Sequence, residues 1–210
     1  MSTLDEALAA NGLAVLGGFY PNHDDQLDAG TVLLIGPDGG NFWPILTQSN
    51  EWTGGTDDPV DRYSARVLSD IAKLNNGRVL FPFGGPPYHP FYSWALRSGL
   101  AWASPVALLV HATQGLFVSY RGALLLPGRA ALPEAAPCPC DGCSQPCLTA
   151  CPVGALGDAG YDVPLCHDYL NSAGGRRCMD NGCQVRGACP VGQNLRPDTQ
   201  SAYHMQRFHK

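Results

Sequence analysis

The chain has no cysteine before Cys138, and all nine of its cysteines fall within Cys138–Cys189. A secreted disulfide scaffold spreads its cysteines through the domain it staples, so this confinement argues against such a scaffold and for a local metal site. Long apolar runs are also missing: none approaches the ~18 residues that a bilayer-spanning helix needs. The opening MSTLDEALAANG is acidic and lacks the basic start and apolar core of a secretory signal. The expectations are a cytoplasmic location and no membrane partner. Positive charge is scarce. Thirteen Lys and Arg stand against 18 Asp and Glu, a net charge of -5, and the only basic clusters are Arg176–Arg177 and the tail Arg207, His209, Lys210. Nucleic-acid backbones are bound by clustered cations that displace counterions, so no nucleic-acid partner is expected. Nucleotide loops are absent as well. Gly84-Gly85-Pro86-Pro87 lacks a Gly-Lys-Ser/Thr ending and its prolines remove N–H donors, while Gly36–Gly40 opens no G-x-G-x-x-G helix.

What is present before about residue 127 reads as a mixed α/β domain. Ser2 or Thr3 is placed to cap a first helix, Leu4–Ala10, which Gly12 terminates. Leu13–Tyr20 and Thr31–Ile35 are apolar runs of strand length around a polar turn. Asp57-Asp58-Pro59 has the form of a helix start, an acidic cap followed by proline at the first helical position. Val60, Tyr63, Val67, Leu68, Ile71 and Leu74 then recur with helical period until Asn75-Asn76-Gly77. Arg78–Phe83 reads as a strand and Phe91–Arg97 as a short helix. Val106–His111 and Leu116–Tyr120 flank Ala112-Thr113-Gln114-Gly115 as the arms of a hairpin. Trp43, Trp52, Trp94 and Trp102 are expected in core or interface positions. From Pro127 the composition turns proline-rich, a linker into a region with few core-forming residues.

That last region holds a cysteine pattern with a chemical meaning. The first group is Cys140-x2-Cys143-x3-Cys147-x3-Cys151-Pro152, and Cys151-Pro152-Val153-Gly154 is echoed by Cys189-Pro190-Val191-Gly192. Bacterial ferredoxins use C-x2-C-x2-C-x3-C-P, in which the fourth cysteine ligates the other of two [4Fe–4S] clusters. Three thiolates in one tight loop occupy three corners of a cubane, and the chain then leaves for the second. Crossing the assignments gives Cys140, Cys143, Cys147 and Cys189 for cluster I and Cys151, Cys166, Cys178 and Cys183 for cluster II. Nearby small residues (Gly142, Ala150, Gly154, Gly182, Gly187, Ala188) leave room for backbone N–H groups to reach the sulfurs. Zinc is the alternative, since two four-cysteine sites use eight cysteines as well. Zinc ribbons favour two separated pairs, whereas four closely spaced cysteines here end in Cys-Pro. Disulfides are a third reading. Cys138 is surplus, either a bystander or a substitute for Cys140.

The segment from Cys140 to Pro190 resembles the double-cluster domain of epoxyqueuosine reductases and reductive dehalogenases. The match lies in CLTACPVGAL, CHDYL (Cys166–Leu170) and the late Cys/Cys/Cys-Pro group, although Cys178-x4-Cys183-x5-Cys189 is looser than that family's spacing. The resemblance implies that the outlying Cys166 belongs with Cys151, Cys178 and Cys183. Gly115–Gly128 (GLFVSYRGALLLPG) and Asp58–Asp61 are similar to the cobalamin-processing CblC family, whose fold is related to flavin nitroreductases. The implied fold class is α+β. A nitroreductase-like, CblC-like α/β domain would span residues 1–127, a proline-rich linker 128–137, and a small two-[4Fe–4S] ferredoxin-like domain 138–210. The implied function is an iron–sulfur oxidoreductase. An electron-donor protein (a flavodoxin, ferredoxin or reductase) feeds two clusters, and these reduce a corrinoid, or second a flavin, on the N-terminal domain. His89 falls where CblC has a His-Pro segment near its cofactor, and Tyr120 and Arg121 are candidates to grip the same cofactor. The alternative is a ferredoxin-class electron-transfer protein with no bound organic cofactor. The net charge and the absence of a basic C-terminal extension argue against tRNA as substrate.

Overall fold

The computed structural model describes residues 3–157 and 159–210. In chain order it contains α1 (Thr3–Ala9), β1 (Leu13–Phe19), β2 (Thr31–Pro37), α2 (Phe42–Thr47), α3 (Asn50–Thr53), α4 (Pro59–Leu74), β3 (Arg78–Leu80), α5 (Phe91–Arg97), β4 (Ala101–Ala103), β5 (Leu109–His111) and β6 (Gly122–Leu126). The cysteine-rich segment adds β7 (Leu156–Gly157), β8 (Gly160–Tyr161), α6 (Val163–Leu170), α7 (Arg176–Asn181), α8 (Gln184–Gly187) and α9 (Asp198–His209). Helices and antiparallel strands are mixed through the chain, compatible with an α+β class. Among the described residues no helix is long and apolar enough to cross a membrane. The chain divides into two compact units. One comprises residues 1–101 and 119–136, the other 102–118 and 137–210.

The first unit is organised by a four-stranded sheet in the order β1-β2-β6-β3, antiparallel at every pairing. β2 lies inside the sheet, and all seven of its residues are buried, as its apolar run requires. α4 covers the sheet with Val60, Tyr63, Val67, Leu68 and Ile71, a buried stripe at helical spacing. A Cβ on Gly122 in β6 would stand 2.6 Å from Leu68 Cδ1, so glycine there permits the close helix–sheet approach. The start of α4 differs from the expected acidic cap. Asp58 takes a left-handed backbone (φ 50°) and makes no side-chain capping bond, so Pro59 and the packed apolar stripe define that end. Leu74, the last residue of the helix and the last position of that stripe, is 81% exposed. Thr3 lies inside α1 and Gly12 follows it with φ 66°; the alternative cap, Ser2, lies outside the described residues. Of the tryptophans, Trp43 and Trp94 are buried, and Trp43 meets Trp52 edge-on at 4.9 Å.

The second unit has shorter elements and a thinner core. The expected hairpin of 106–111 with 116–120 does not form: residues 116–120 are not a strand, and β5 pairs with β4 instead. His111 and Gly115 form reciprocal backbone hydrogen bonds of 3.0 Å, closing the intervening residues into a tight turn. Residues 102–118, read from sequence with the first domain, pack with the cysteine-rich segment. Val106, Val110 and Leu116 join Cys147, Leu156, Val185 and Cys189 in one buried cluster. The reason is physical: residues 137–210 hold too few apolar side chains to close a core alone, and the 102–118 excursion supplies them.

Candidate functional site

The site is built from the second unit's tight turns. Backbone bonds Asp141 N–H to Cys138 O (3.1 Å) and Cys143 N–H to Cys140 O (3.2 Å) curl the chain. A 3-10 turn at Pro146–Thr149 then buries Cys147. Cys189 reaches the same place from the far end of the segment. Gly115 and Gly192, both at positive φ, allow the 111–115 turn to lie against Cys189-Pro190-Val191-Gly192: a Cβ on Gly115 would collide with Val191 O, and one on Gly192 with Gln114 O. The structure thereby brings Cys140, Cys143, Cys147 and Cys189 to the wall of one small pocket, together with Val110, Leu116 and Val191.

A second small pocket is lined by Cys151, Cys166, Cys178 and Cys183, with Leu156, Leu170, Val185 and Met205. Cys166 comes from α6, whose start is capped by Asp162 accepting from Leu165 N–H at 2.9 Å. Cys178 comes from α7, and Cys183 precedes α8. Each cavity therefore takes one thiol from the opposite half of the cysteine segment.

The electrostatics of both thiol sets point the same way. The Cys140 thiol is pushed up to about 11, by burial first and then by the neighbouring Cys138, Cys147 and Cys143. Cys147 is raised by burial and then by Cys189 and Cys143, against the opposing pull of backbone amides. Burial also raises Cys166, opposed by a hydrogen bond from Tyr161 and reinforced by Cys183, Cys151 and Cys178. A buried thiol raised by its neighbours ionises readily only against a compensating cationic group. Among the described residues, no three or more His, Cys, Asp or Glu side chains group as ligands of one metal ion. The thiols surround a space instead. All nine cysteines are free thiols, and Cys138 hydrogen-bonds the Cys140 thiol without lining the cavity.

Four hydrogen bonds to sulfur stand out. Gln145 N–H donates to Cys143 Sγ at 3.3 Å and Ala155 N–H to Cys151 Sγ at 3.2 Å. The Tyr161 hydroxyl donates to Cys166 Sγ and Gln184 Nε2 to Cys178 Sγ, both at 3.4 Å. These donors are not the small residues singled out from the sequence. Cys-Pro spacing carries no information about which amide turns inward, and Tyr161 and Gln184 were signalled only by their nearness to Cys166 and Cys183.

The three candidate residues of the first unit have separate partners. His89 is exposed and its ring stacks on Trp94 at 5.9 Å. Arg121 pairs with Asp61 of α4 at 3.3 Å, with its guanidinium over Phe83. Tyr120 is buried, its hydroxyl has no hydrogen-bond partner among the described residues, and burial raises its pKa. A comparison of the chain with family models and with curated proteins returns no match.

Proposed function

We propose that the second unit holds two [4Fe–4S] clusters and that the chain is an iron–sulfur electron-transfer protein. The observation that carries this reading is the grouping of eight thiols into two cavities of four, each with one member from the opposite half. The donor sets suit the guest. A four-thiolate zinc site with bonds of ~2.3 Å draws its sulfurs to within about 3.8 Å of one another, whereas a cubane holds its thiolates at the corners of a larger body. Each set of four takes one cysteine from the opposite half, the crossed pattern of ferredoxin-type loops, which favours the larger guest. When bound, each cluster supplies a reversible one-electron couple. The chain's own residues hold it by four sulfurs, keep water out with Val110, Leu116, Leu156 and Val185, and donate hydrogen bonds to the thiolates.

On the first reading, the electrons go to the first unit as a nitroreductase-like scaffold for a corrinoid and next for a flavin. What supports this is the resemblance of Gly115–Gly128 and Asp58–Asp61 to the CblC family, and the orphaned, buried hydroxyl of Tyr120. Against it, Arg121 is occupied by Asp61 and His89 by Trp94. Those two pairings favour the second reading, a ferredoxin-class carrier with no organic cofactor.

Anaerobic purification or reconstitution tests the first claim. About eight irons and eight sulfides per chain are expected, with broad visible absorption that bleaches on reduction; stoichiometric zinc without sulfide overturns it. Titration of that protein with cobalamin separates the two destinations. Cobalt reduction that requires the clusters supports the corrinoid, and absence of binding leaves the ferredoxin-class carrier.

A further inference from the structure

The two thiol sets differ in what reaches their sulfurs. Around Cys140, Cys143, Cys147 and Cys189 the donors are backbone amides: Gln145 N–H on Cys143, and the N–H groups of Cys147 and Leu148 on Cys147. Around the other set one backbone amide, Ala155, is joined by two side chains, the Tyr161 hydroxyl on Cys166 and the Gln184 amide on Cys178.

The reduced form of a thiolate-bound cluster carries one more negative charge than the oxidised form. Hydrogen-bond donors stabilise that extra charge and raise the reduction potential. Burial works against it in both sets, so the difference between the sites rests on the donors. Resting on the iron–sulfur reading above, we propose that Tyr161 and Gln184 make the Cys151/Cys166/Cys178/Cys183 site the higher-potential of the two, so that electrons collect there. The transfer so ordered is a single electron. One site is oxidised by one, the other is reduced by one, and no bond or proton changes hands. The electron enters from a one-electron donor of the flavodoxin or ferredoxin class.

Tyr161 is a positioning residue whose contribution can be removed cleanly. Its ring stacks on Phe208 at 5.9 Å and 18°, so Tyr161→Phe keeps the packing and deletes only the donor. Gln184→Met does the same for the second donor. The experiment is a mediated dithionite titration of the reconstituted full chain, with each reduced site followed by electron paramagnetic resonance. The wild type is expected to show two midpoints. Tyr161→Phe lowers the higher one by up to about tenfold in its reduction equilibrium, ~59 mV for one electron, and leaves the lower one in place. Adding Gln184→Met lowers the same midpoint further. A chain that loads with iron but whose higher midpoint stays still, or whose lower midpoint moves, overturns the assignment and leaves the iron–sulfur reading intact. A wild-type chain that takes up no iron and sulfide removes both.

Discussion

The two units solve the problem of a small core differently. The first follows ordinary rules: β2 is buried along its whole length, α4 lays an apolar stripe over the sheet, and Gly122 lets the layers approach. Its stability comes from apolar area removed from water. The second has strands of two or three residues and a buried cluster two of whose members, Cys147 and Cys189, are themselves thiols. On the proposed iron–sulfur reading, a unit so built leans on what the thiols would bind, because ligand binding energy there becomes folding energy. Stability in one unit is written in the side chains. In the other, on that reading, it would be shared with a guest.

The largest expected effect breaks the comparison directly. Stripping iron from the full chain with a chelator under reducing conditions should collapse hydrogen-exchange protection in α6, α7 and α8 while β2, β6 and α4 keep theirs. Equal loss of protection in both units, or in neither, would contradict the asymmetry. A pair of truncations sharpens it. Leu68→Ala empties a fully buried position under the sheet and should cost about 2–5 kcal/mol in the first unit, with iron content unchanged. Leu116→Ala, at an equally buried position in the thiol-bearing cluster, should lower iron content as well as stability. If both variants load iron equally well, the second core does not depend on its guest as argued.

A subtler change acts through backbone geometry. Gly115 sits at φ 55° against Val191, with Cys189 Sγ 3.1 Å from where a Cβ would be. Gly115→Ala should cost on the order of 1–3 kcal/mol from the steric conflict and its left-handed backbone. It should impair the Cys140 set in preference to the Cys166 set. Metal analysis with site-resolved resonance spectra checks this, and equal loss from both sites would count against Gly115 as the residue that seats Cys189.

Local pattern made α4, α5 and the first two strands readable, because periodicity and turn residues act over a few positions. The structure places these elements at Pro59–Leu74, Phe91–Arg97, Leu13–Phe19 and Thr31–Pro37. What pattern does not encode is allegiance. Val106, Val110 and Leu116 look like any apolar run, and only the shortage of apolar residues after 137 decides which core they join. The cysteine spacing by itself suggests two sets of four, since ferredoxin-type loops carry such a crossing. Their surroundings were not legible. Tyr161 and Gln184 come within reach of sulfur through the folding of β8 and α8, and no spacing rule names them. Asp58 shows the converse: a residue of good capping type whose backbone goes left-handed and leaves the cap unmade.

The smallest effect tests whether the first unit stands on its own electrostatics. Glu51 accepts from Arg66 through Nε (2.5 Å) and Nη2 (3.2 Å), tying α3 to α4. The Arg66 guanidinium holds the Glu51 carboxyl at about 2, below its usual 4.5, and burial opposes the shift. A folded-state pKa below the unfolded one means that the pair's contribution is fully present above about 4.5 and drains away as pH falls toward about 2. Arg66 is half exposed, so solvent screening limits the contribution to about 1 kcal/mol. Glu51→Gln should therefore lower the first unit's stability modestly at neutral pH and flatten its decline through that acid window. The measurement is denaturant unfolding of the full chain as a function of pH, followed by a probe confined to the first unit such as exchange of β2 amides. Should the variant's acid decline run parallel to the wild type's, the pair contributes nothing that titrates, and the first unit rests on its apolar packing alone.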